Sequence, residues 1–491
     1  MDRESQVWIG LDIGTQSARA LAVTTGGEIV GSGRQPLSSE RSGVRHEQNA
    51  DDWWRAVAAA SLEAMRSVPA ECVRGVAVDG TSGTIVIVDR EGSPLTPGLM
   101  YDDARATGYV DRVNAAGART WVDLGYGRMQ PSWALPKLLW LLDAYPRLPR
   151  GARLAHQSDF IGRRLVGTEV PADLSSALKS GAHLIAERWP DDVMDALNVP
   201  SALLPDLVRP GTLTGLVDRS AAAATGIPIG TPVIAGMTDG CAAQLGAGTL
   251  RSGSWNSVLG TTLVVKGVSR ELVRDPLGVL YSHRAPNGDW LPGGASSCGA
   301  GIVSRDFGGR DLDALSRDAG TREPSAGLVY PLVSAGERFP FVAPEARGFS
   351  IEGDGSDEDE FAAVLQGVGY VERLCYDYLD LLGLAVDGVV TLTGGAAANR
   401  YWCQLRADIL GRTVAIPKNS EPALGMAVLA ASVGRDPGEV AAGMVRVEAT
   451  IDPRPHADRF LAPYTGLVDE LESRGWLGHS LADHARRRAR T

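Results

Sequence analysis

The sequence predicts an α/β protein of two related lobes facing a central cleft, and three observations predict it. At 491 residues the chain is longer than one ordinary hydrophobic core supports, so two large domains are expected. Its first half reads strand, strand, strand, helix, strand, the order that builds a mixed sheet flanked by helices. Its second half repeats that grammar, so that "DIGTQ" and "VLGTT" hold equivalent strand-turn-strand positions.

The elements follow in chain order. "VWIGLDIG" is a short apolar run, "SARALAVTT" alternates, Gly26-Gly27 supplies a hairpin turn and "EIVGSGRQ" returns, which predicts a three-stranded antiparallel opening. A helix is expected over Asp51 to Val68, with Asp51 and Asp52 as its capping acids. "VRGVAVDG" then reads as a buried strand ending in "GTSGT", and "IVIVDREG" as another. In the second half "TPVIAGMTDGCAAQLGAG" runs from strand into helix, and "SWNSVLGTTLVVKGVSRE" is two strands joined at Gly260-Thr261-Thr262. "VDGVVTLTGG" is a buried strand opening into the helix "AAANRYWCQLRADILG", closed by Gly411, before the strand "RTVAIP".

Composition narrows the function. With 44% hydrophobic and 22% charged residues the chain is of the folded globular class. A net charge of −11 argues against non-specific nucleic-acid binding, which needs clustered Lys and Arg. The basic run His484 to Arg490 reads as a solvated, frayed terminus. Five scattered cysteines without a CxxC pair argue against a disulfide framework or zinc site and suit a reducing compartment. The start "MDRESQVWIGLDIG" is unlike a signal peptide, and no apolar stretch reaches bilayer length, so a cytoplasmic protein without membrane partners is expected.

Several residues could carry chemistry. Asp12 ends a strand before a turn of Gly14, Thr15, Gln16 and Ser17, whose N–H and hydroxyl groups suit a phosphate. A carboxylate there suits Mg²⁺ held through water, because this hard cation keeps much of its hydration. Asp239 lies between a buried strand and a helix start; facing a cleft, it could accept the proton of a hydroxyl that attacks phosphorus, and otherwise it is a helix cap. The "LGTT" turn could grip phosphates, and the strand-GG-helix junction at Gly394-Gly395 lets a nucleotide approach the backbone. "GGASSCGAG" (293–301) is a further small-residue turn. No Walker A loop occurs, and the first strand enters a hairpin where a dinucleotide fold would need a helix. Thr81 and Ser82 in "DGTSGT", with Asp103 and Arg105 in "MYDDARA", suit a polyol; alone, the latter pair also reads as a surface ion pair.

In this order the motifs resemble the FGGY family of carbohydrate kinases over nearly the whole chain. "DIGTQSARA" resembles its first phosphate motif, "EQNADDWW" its Glu-Gln-Asn segment, "MYDDAR" its sugar segment and "PKLLWLLDAYP", with Lys137 and Trp140, its Lys-Leu-x-Trp helix. "GMTDGCAAQLGAG", "LGTT", "GERFP" and "TGGAAANRYWCQLRADILGRTV" are similar to its catalytic, second phosphate, Gly-Glu-Arg-x-Pro and adenosine motifs. The resemblance implies an actin/hexokinase-like (ribonuclease H-like) fold, with lobes 1–244 and 245–491 closing around ATP, Mg²⁺ and a sugar. It implies Asp239 as base, Asp12 on the metal, and Thr81, Ser82, Asp103, Arg105 and Asp239 on the sugar. Gly14, Thr15, Gln16, Ser17, Gly260, Thr261, Thr262, Gly301, Gly394, Gly395 and Asn399 would hold ATP. A homodimer is a family-level expectation.

Xylulokinases of the family usually carry Gln-Met-His where this chain has Thr81-Ser82-Gly83. "GTSGTIVIVD", "HQSDFIGRRLVG" and "DLSSALKSG" look instead like its D-ribulose kinase branch, which ranks D-ribulose first, D-xylulose second and another polyol third. A non-sugar actin-like ATPase would share the phosphate motifs without needing "MYDDAR".

Overall fold

The computed structural model describes residues 6–351 and 353–490, which form two compact units. One holds the chain up to Leu250 together with His283–Leu291 and Asn419–Arg446; the other holds Arg251–Ser282, Pro292–Lys418 and the chain from Val447 onward. The late return to the first unit has a simple packing cause. Helix Pro422–Ala431 is buried along nearly its whole surface, so it must lie inside a core rather than over one. It packs on the opening strand at Gly10, where a Cβ would sit 1.7 Å from the Ala423 carbonyl oxygen. Only glycine permits that approach.

The main sheet of the first unit runs Leu213–Leu216, Pro232–Ile234, Val73–Val78, Val7–Ile13, Ser17–Thr24 and Ile29–Pro36. The three-stranded opening forms as its alternation predicts, with Asp12 opposite Arg19. Val7–Ile13, Val73–Val78 and Pro232–Ile234 are mutually parallel neighbours. Their carboxyl ends therefore lie side by side, where open α/β sheets place their ligands. Helix Ala50–Ala64 starts one residue earlier than expected and gives way to a 3₁₀ turn at Met65–Ser67. Its cap is Asn49, whose side chain accepts from the Asp51 amide, while Asp51 and Asp52 sit in the first turn and face the helix dipole.

The sheet of the second unit starts from the strand ending at Ser296 and continues through Leu263–Gly267, Trp255–Leu259, Val390–Thr393, Val414–Pro417 and Val447–Ile451. Helix Asp357–Leu381 forms the spine of its core, with Ser356 as cap and four acids in its first turn. The chain end corrects an expectation: the basic run belongs largely to helix His479–Arg488, docked through Leu481, Ala482 and Ala485. Arg486 pairs with Asp469 and Glu472, so this segment is held rather than frayed. Among the described residues, no helix is long and apolar enough to cross a membrane.

Candidate active site

Three carboxyl groups collect at the carboxyl ends of the parallel strands in the first unit. Asp12 closes the opening strand, Asp79 follows Val73–Val78, and Asp239 begins helix Asp239–Gly246 just beyond Pro232–Ile234. Backbone bonds lock them in register: the Asp79 amide donates to the Leu11 carbonyl at 2.9 Å, and the Asp239 amide to the Gly80 carbonyl at 2.9 Å. Thr238 holds the cap position of the helix, and the Asp239 side chain reaches only the adjacent Gly240 amide. Asp239 is half-buried, Asp12 is buried and Asp79 is fully enclosed.

Burial is the main cause holding the Asp12 carboxyl up at about 6; Asp239 and Glu421 add to it, against the pull of its contact with Asp79 and of Arg19. Asp79 is pushed well above the carboxylate range by burial first, then by the charges of Asp12 and Asp239. The Ile13 backbone N–H opposes these, although within strict hydrogen-bonding geometry neither Asp79 oxygen has a partner. A bond between Asp12 and Asp79 therefore requires that one of the two carry the proton. The sequence reading missed Asp79, although "VAVDG" puts an acid at the end of an apolar strand, which is the available signal.

The Gly14–Ser17 turn is tied from behind. Gln48 donates to the Thr15 carbonyl at 2.7 Å, the Leu37 amide donates to the Gln16 carbonyl at 2.8 Å, and Arg34 reaches Ser17 Oγ. Glu47, the neighbour of Gln48, pairs with Arg105 at 2.5 Å. Arg105 also forks onto Asp103 and lies over the Trp140 ring. Asp103 is fully enclosed and accepts from the His46 amide as well, so its carboxylate is spent inside the protein. Asp103 and Arg105 thus form a buried anchor for the loop, and the reading as a surface ion pair is corrected. Asp102, half-buried beside them, contacts the His46 ring and Arg41.

Two lysines fix the 81–84 turn. Lys137 is fully buried and donates to the Gly83 and Met100 carbonyls at 2.7 and 2.8 Å, while Lys179 reaches the Ser82 carbonyl at 3.2 Å. Burial, then Lys179, bring Lys137 down to about 7. Thr81 bonds Gln157, from a helix 76 residues on, through its amide and its hydroxyl.

The second unit brings together its own glycine turns. The Ala300 amide donates to the Gly260 carbonyl and the Gly301 amide to the Thr261 carbonyl, so the 299–301 turn lies against Gly260-Thr261-Thr262. Gly394 has φ +86°, and a Cβ there would sit 2.5 Å from the Leu259 carbonyl oxygen. Beside Gly395 the space for a side chain is open. Asn399 caps helix Arg400–Leu410 by accepting from the Trp402 amide, and its amide nitrogen donates to Ser316. Its side chain is therefore engaged within the protein. Among the described residues, no group of three or more His, Cys, Asp or Glu has the geometry of a metal cage. A cation held by few protein ligands and its own waters fits the uncompensated carboxylates beside the Gly14–Ser17 turn.

Residues 7–246 match the FGGY family of carbohydrate kinases, N-terminal domain, and residues 255–433 match its C-terminal domain. The xylulose kinase of Streptomyces coelicolor is 31% identical over 466 residues, covering 90% of this chain and 91% of that protein. The crystal structure of xylulose kinase from Rhodospirillum rubrum superposes with TM-score 0.84 at 23% identity, covering 96% of this chain and 99% of the other. The gluconate kinase of Lactobacillus acidophilus superposes as well, with TM-score 0.85 at 18% identity over 96% and 98% of the two chains. The shared fold therefore does not by itself choose the sugar.

Proposed function

The chain belongs to the FGGY family of carbohydrate kinases, as an enzyme that uses ATP to phosphorylate a sugar, and we propose that its sugar is a ketopentose, D-xylulose before D-ribulose, phosphorylated at the terminal hydroxyl. The observation that carries the mechanism is the half-buried Asp239 beside the buried Asp12, at the end of one sheet. In this reading the first unit, which extends past the expected boundary at 244 and takes in Asn419–Arg446, supplies the sugar pocket and the base, and the second unit supplies the nucleotide turns.

Asp239 accepts the proton of the terminal hydroxyl as its oxygen attacks the γ-phosphorus of ATP, and ADP leaves. Thr15, Gln16 and Ser17 present N–H and hydroxyl donors to the moving phosphoryl group, and Gly14 closes their turn by donating its amide to the Ser17 carbonyl. Gly260, Thr261, Thr262, Gly301, Gly394 and Gly395 cradle the rest of the nucleotide, where small residues let the backbone come close. Asp12 would hold a hydrated Mg²⁺, which when bound would supply charge neutralisation on the phosphates. Ser82 faces the sugar, Thr81 is engaged by Gln157 behind it, and Asp103 with Arg105 holds the neighbouring loop in place. Five free cysteines suit a reducing compartment, and a cytoplasmic location goes with this reading.

D-Xylulose ranks ahead of the D-ribulose favoured by the local motifs because relatives spanning most of the chain carry the name xylulose kinase. D-Ribulose stays as the second reading on one observation: Thr81-Ser82-Gly83 replaces the Gln-Met-His run usual in xylulokinases. ADP release measured with D-xylulose, D-ribulose, L-ribulose, ribitol and gluconate tests both. The highest kcat/KM is expected for D-xylulose. A higher value for D-ribulose selects the second reading, and no stimulation by any sugar or polyol sinks both.

A further inference from the structure

We propose that Gln157 is a specificity-determining residue, donating its side-chain N–H groups to a sugar oxygen beside the Asp239 base; this rests on the ketopentose kinase reading. Gln157 opens helix Gln157–Val166 and is 1% exposed. Its Oε1 accepts from the Thr81 amide at 2.9 Å and from Thr81 Oγ1 at 2.9 Å. A backbone N–H can only donate, so the amide group cannot be turned over. Nε2 must then point the other way, and there it is buried with no partner.

An enclosed donor without an acceptor is costly to the fold and asks for an explanation, of which a bound ligand is one. A purely structural role uses Oε1 alone and leaves Nε2 unexplained. Position supports the same conclusion. The Thr81 amide follows Gly80, whose carbonyl receives the Asp239 amide. A Cβ on Gly80 would sit 2.9 Å from Gln157 Cβ, so Gln157 lies directly against the strand end that positions the base. Ser82 Oγ, one residue further along the same turn, is a second buried polar atom without a partner. Lys137 and Lys179 hold this turn by its carbonyls, so both unpartnered groups sit on rigid backbone, as a selective pocket needs. D-Xylulose and D-ribulose differ only in configuration at C3. A fixed donor that meets an oxygen in one epimer and misses it in the other discriminates strongly, because the unmet group stays unpaired.

The test is Gln157→Glu. It keeps an oxygen acceptor for the Thr81 amide and replaces the donor end with a second oxygen. Expected is a loss of about tenfold or more in kcat/KM for the preferred ketopentose, mostly in its KM, following the scale of one lost buried hydrogen bond. The ratio of D-xylulose to D-ribulose kcat/KM should shift with KM for ATP unchanged, while the newly buried carboxyl lowers the melting temperature of the free protein. Sugar-induced melting shifts without ATP give a second readout, and Gln157→Met, which lacks donor and acceptor, should abolish them. Unchanged sugar KM, epimer ratio and sugar-induced shift in Gln157→Glu overturn the inference while the kinase reading stands. If the wild-type protein phosphorylates neither ketopentose, the reading itself fails, independently of the variant.

Discussion

In the second unit, Arg406 and Glu372 are both fully enclosed, and two N–H···O bonds of 2.6 and 2.8 Å join them; Ser257 bonds both, while Arg406 Nη1 has no partner. In the first unit, Asp79 is as deeply enclosed and Asp12 nearly so, yet among the described residues no Lys or Arg bonds either carboxyl. The two arrangements cost the fold differently. A buried charge with its partner is close to neutral for stability, whereas a buried charge without one is a standing penalty. The difference teaches where to look for chemistry: a penalty that persists inside a sheet is compensated by something that binds there.

Breaking this buried ion pair gives the largest expected effect. Arg406→Met leaves Glu372 with Ser257 alone and should cost about 3–5 kcal/mol, read as a lower urea midpoint. The double variant Arg406→Met, Glu372→Leu should recover most of that loss, because two apolar groups leave no charge behind. Folded molecules of either variant should keep wild-type kcat. A selective loss of kcat at wild-type stability would place this pair in the site and undo the contrast.

Asp239→Ala asks the converse question. Removing the base should lower kcat by about 10²-fold or more with little change in melting temperature. Full activity in this variant would refute the base assignment. Asp12→Asn sharpens the comparison from the side of stability. At pH 7–8 the wild-type carboxyl is buried and largely charged, so the amide should raise the melting temperature of the free protein by about 2–4 °C while activity falls. An unchanged or lower melting temperature would mean that Asp12 carries no penalty in the fold.

How much of this was legible in the sequence follows from which contacts are local. The Gly14–Ser17 turn, Asp12 and Asp239 could be read because strand, glycine and hydroxyl residues sit within a few positions of one another. Asp79 is passed over: "VAVDG" marks an acid at a strand end, but its importance comes from parallel pairing of Val73–Val78 with the opening strand, a contact between segments far apart. Asp103 and Arg105 read as sugar-binding, with a surface ion pair as the alternative, since Glu47 and Trp140, which engage Arg105, come from elsewhere in the chain. Gln157 meets Thr81 across 76 residues, and no spacing rule reaches that far. The apolar run at 422–431 announced burial and left its partner open. Gly10, which admits that helix, looked like any other glycine in a strand.

Lys137 offers the finest test, because it is a cation buried in the acid-rich unit without a carboxylate bonded to it. Burial first, then Lys179 and Arg105, lower its affinity for the proton, and Asp103 and Asp102 oppose them, leaving it at about 7 against an ordinary 10.5. Its two acceptors, the Gly83 and Met100 carbonyls, match the two N–H groups of a neutral amine. The sign follows from proton counting. Below pH 7 both folded and unfolded chains hold the proton, and the fold carries the whole cost of burying it. Between pH 7 and 10.5 the unfolded chain still holds the proton that the folded one has released, so this group's contribution to stability rises with pH. In Lys137→Met that rise is absent and both carbonyls lose their donor. The melting-temperature difference between wild type and Lys137→Met should therefore widen steadily from pH 6.5 to 9.5, on the order of a few degrees in total. A difference that stays flat across this range would mean that Lys137 remains charged throughout, and that the turn bearing Thr81 and Ser82 is held by an ammonium rather than an amine.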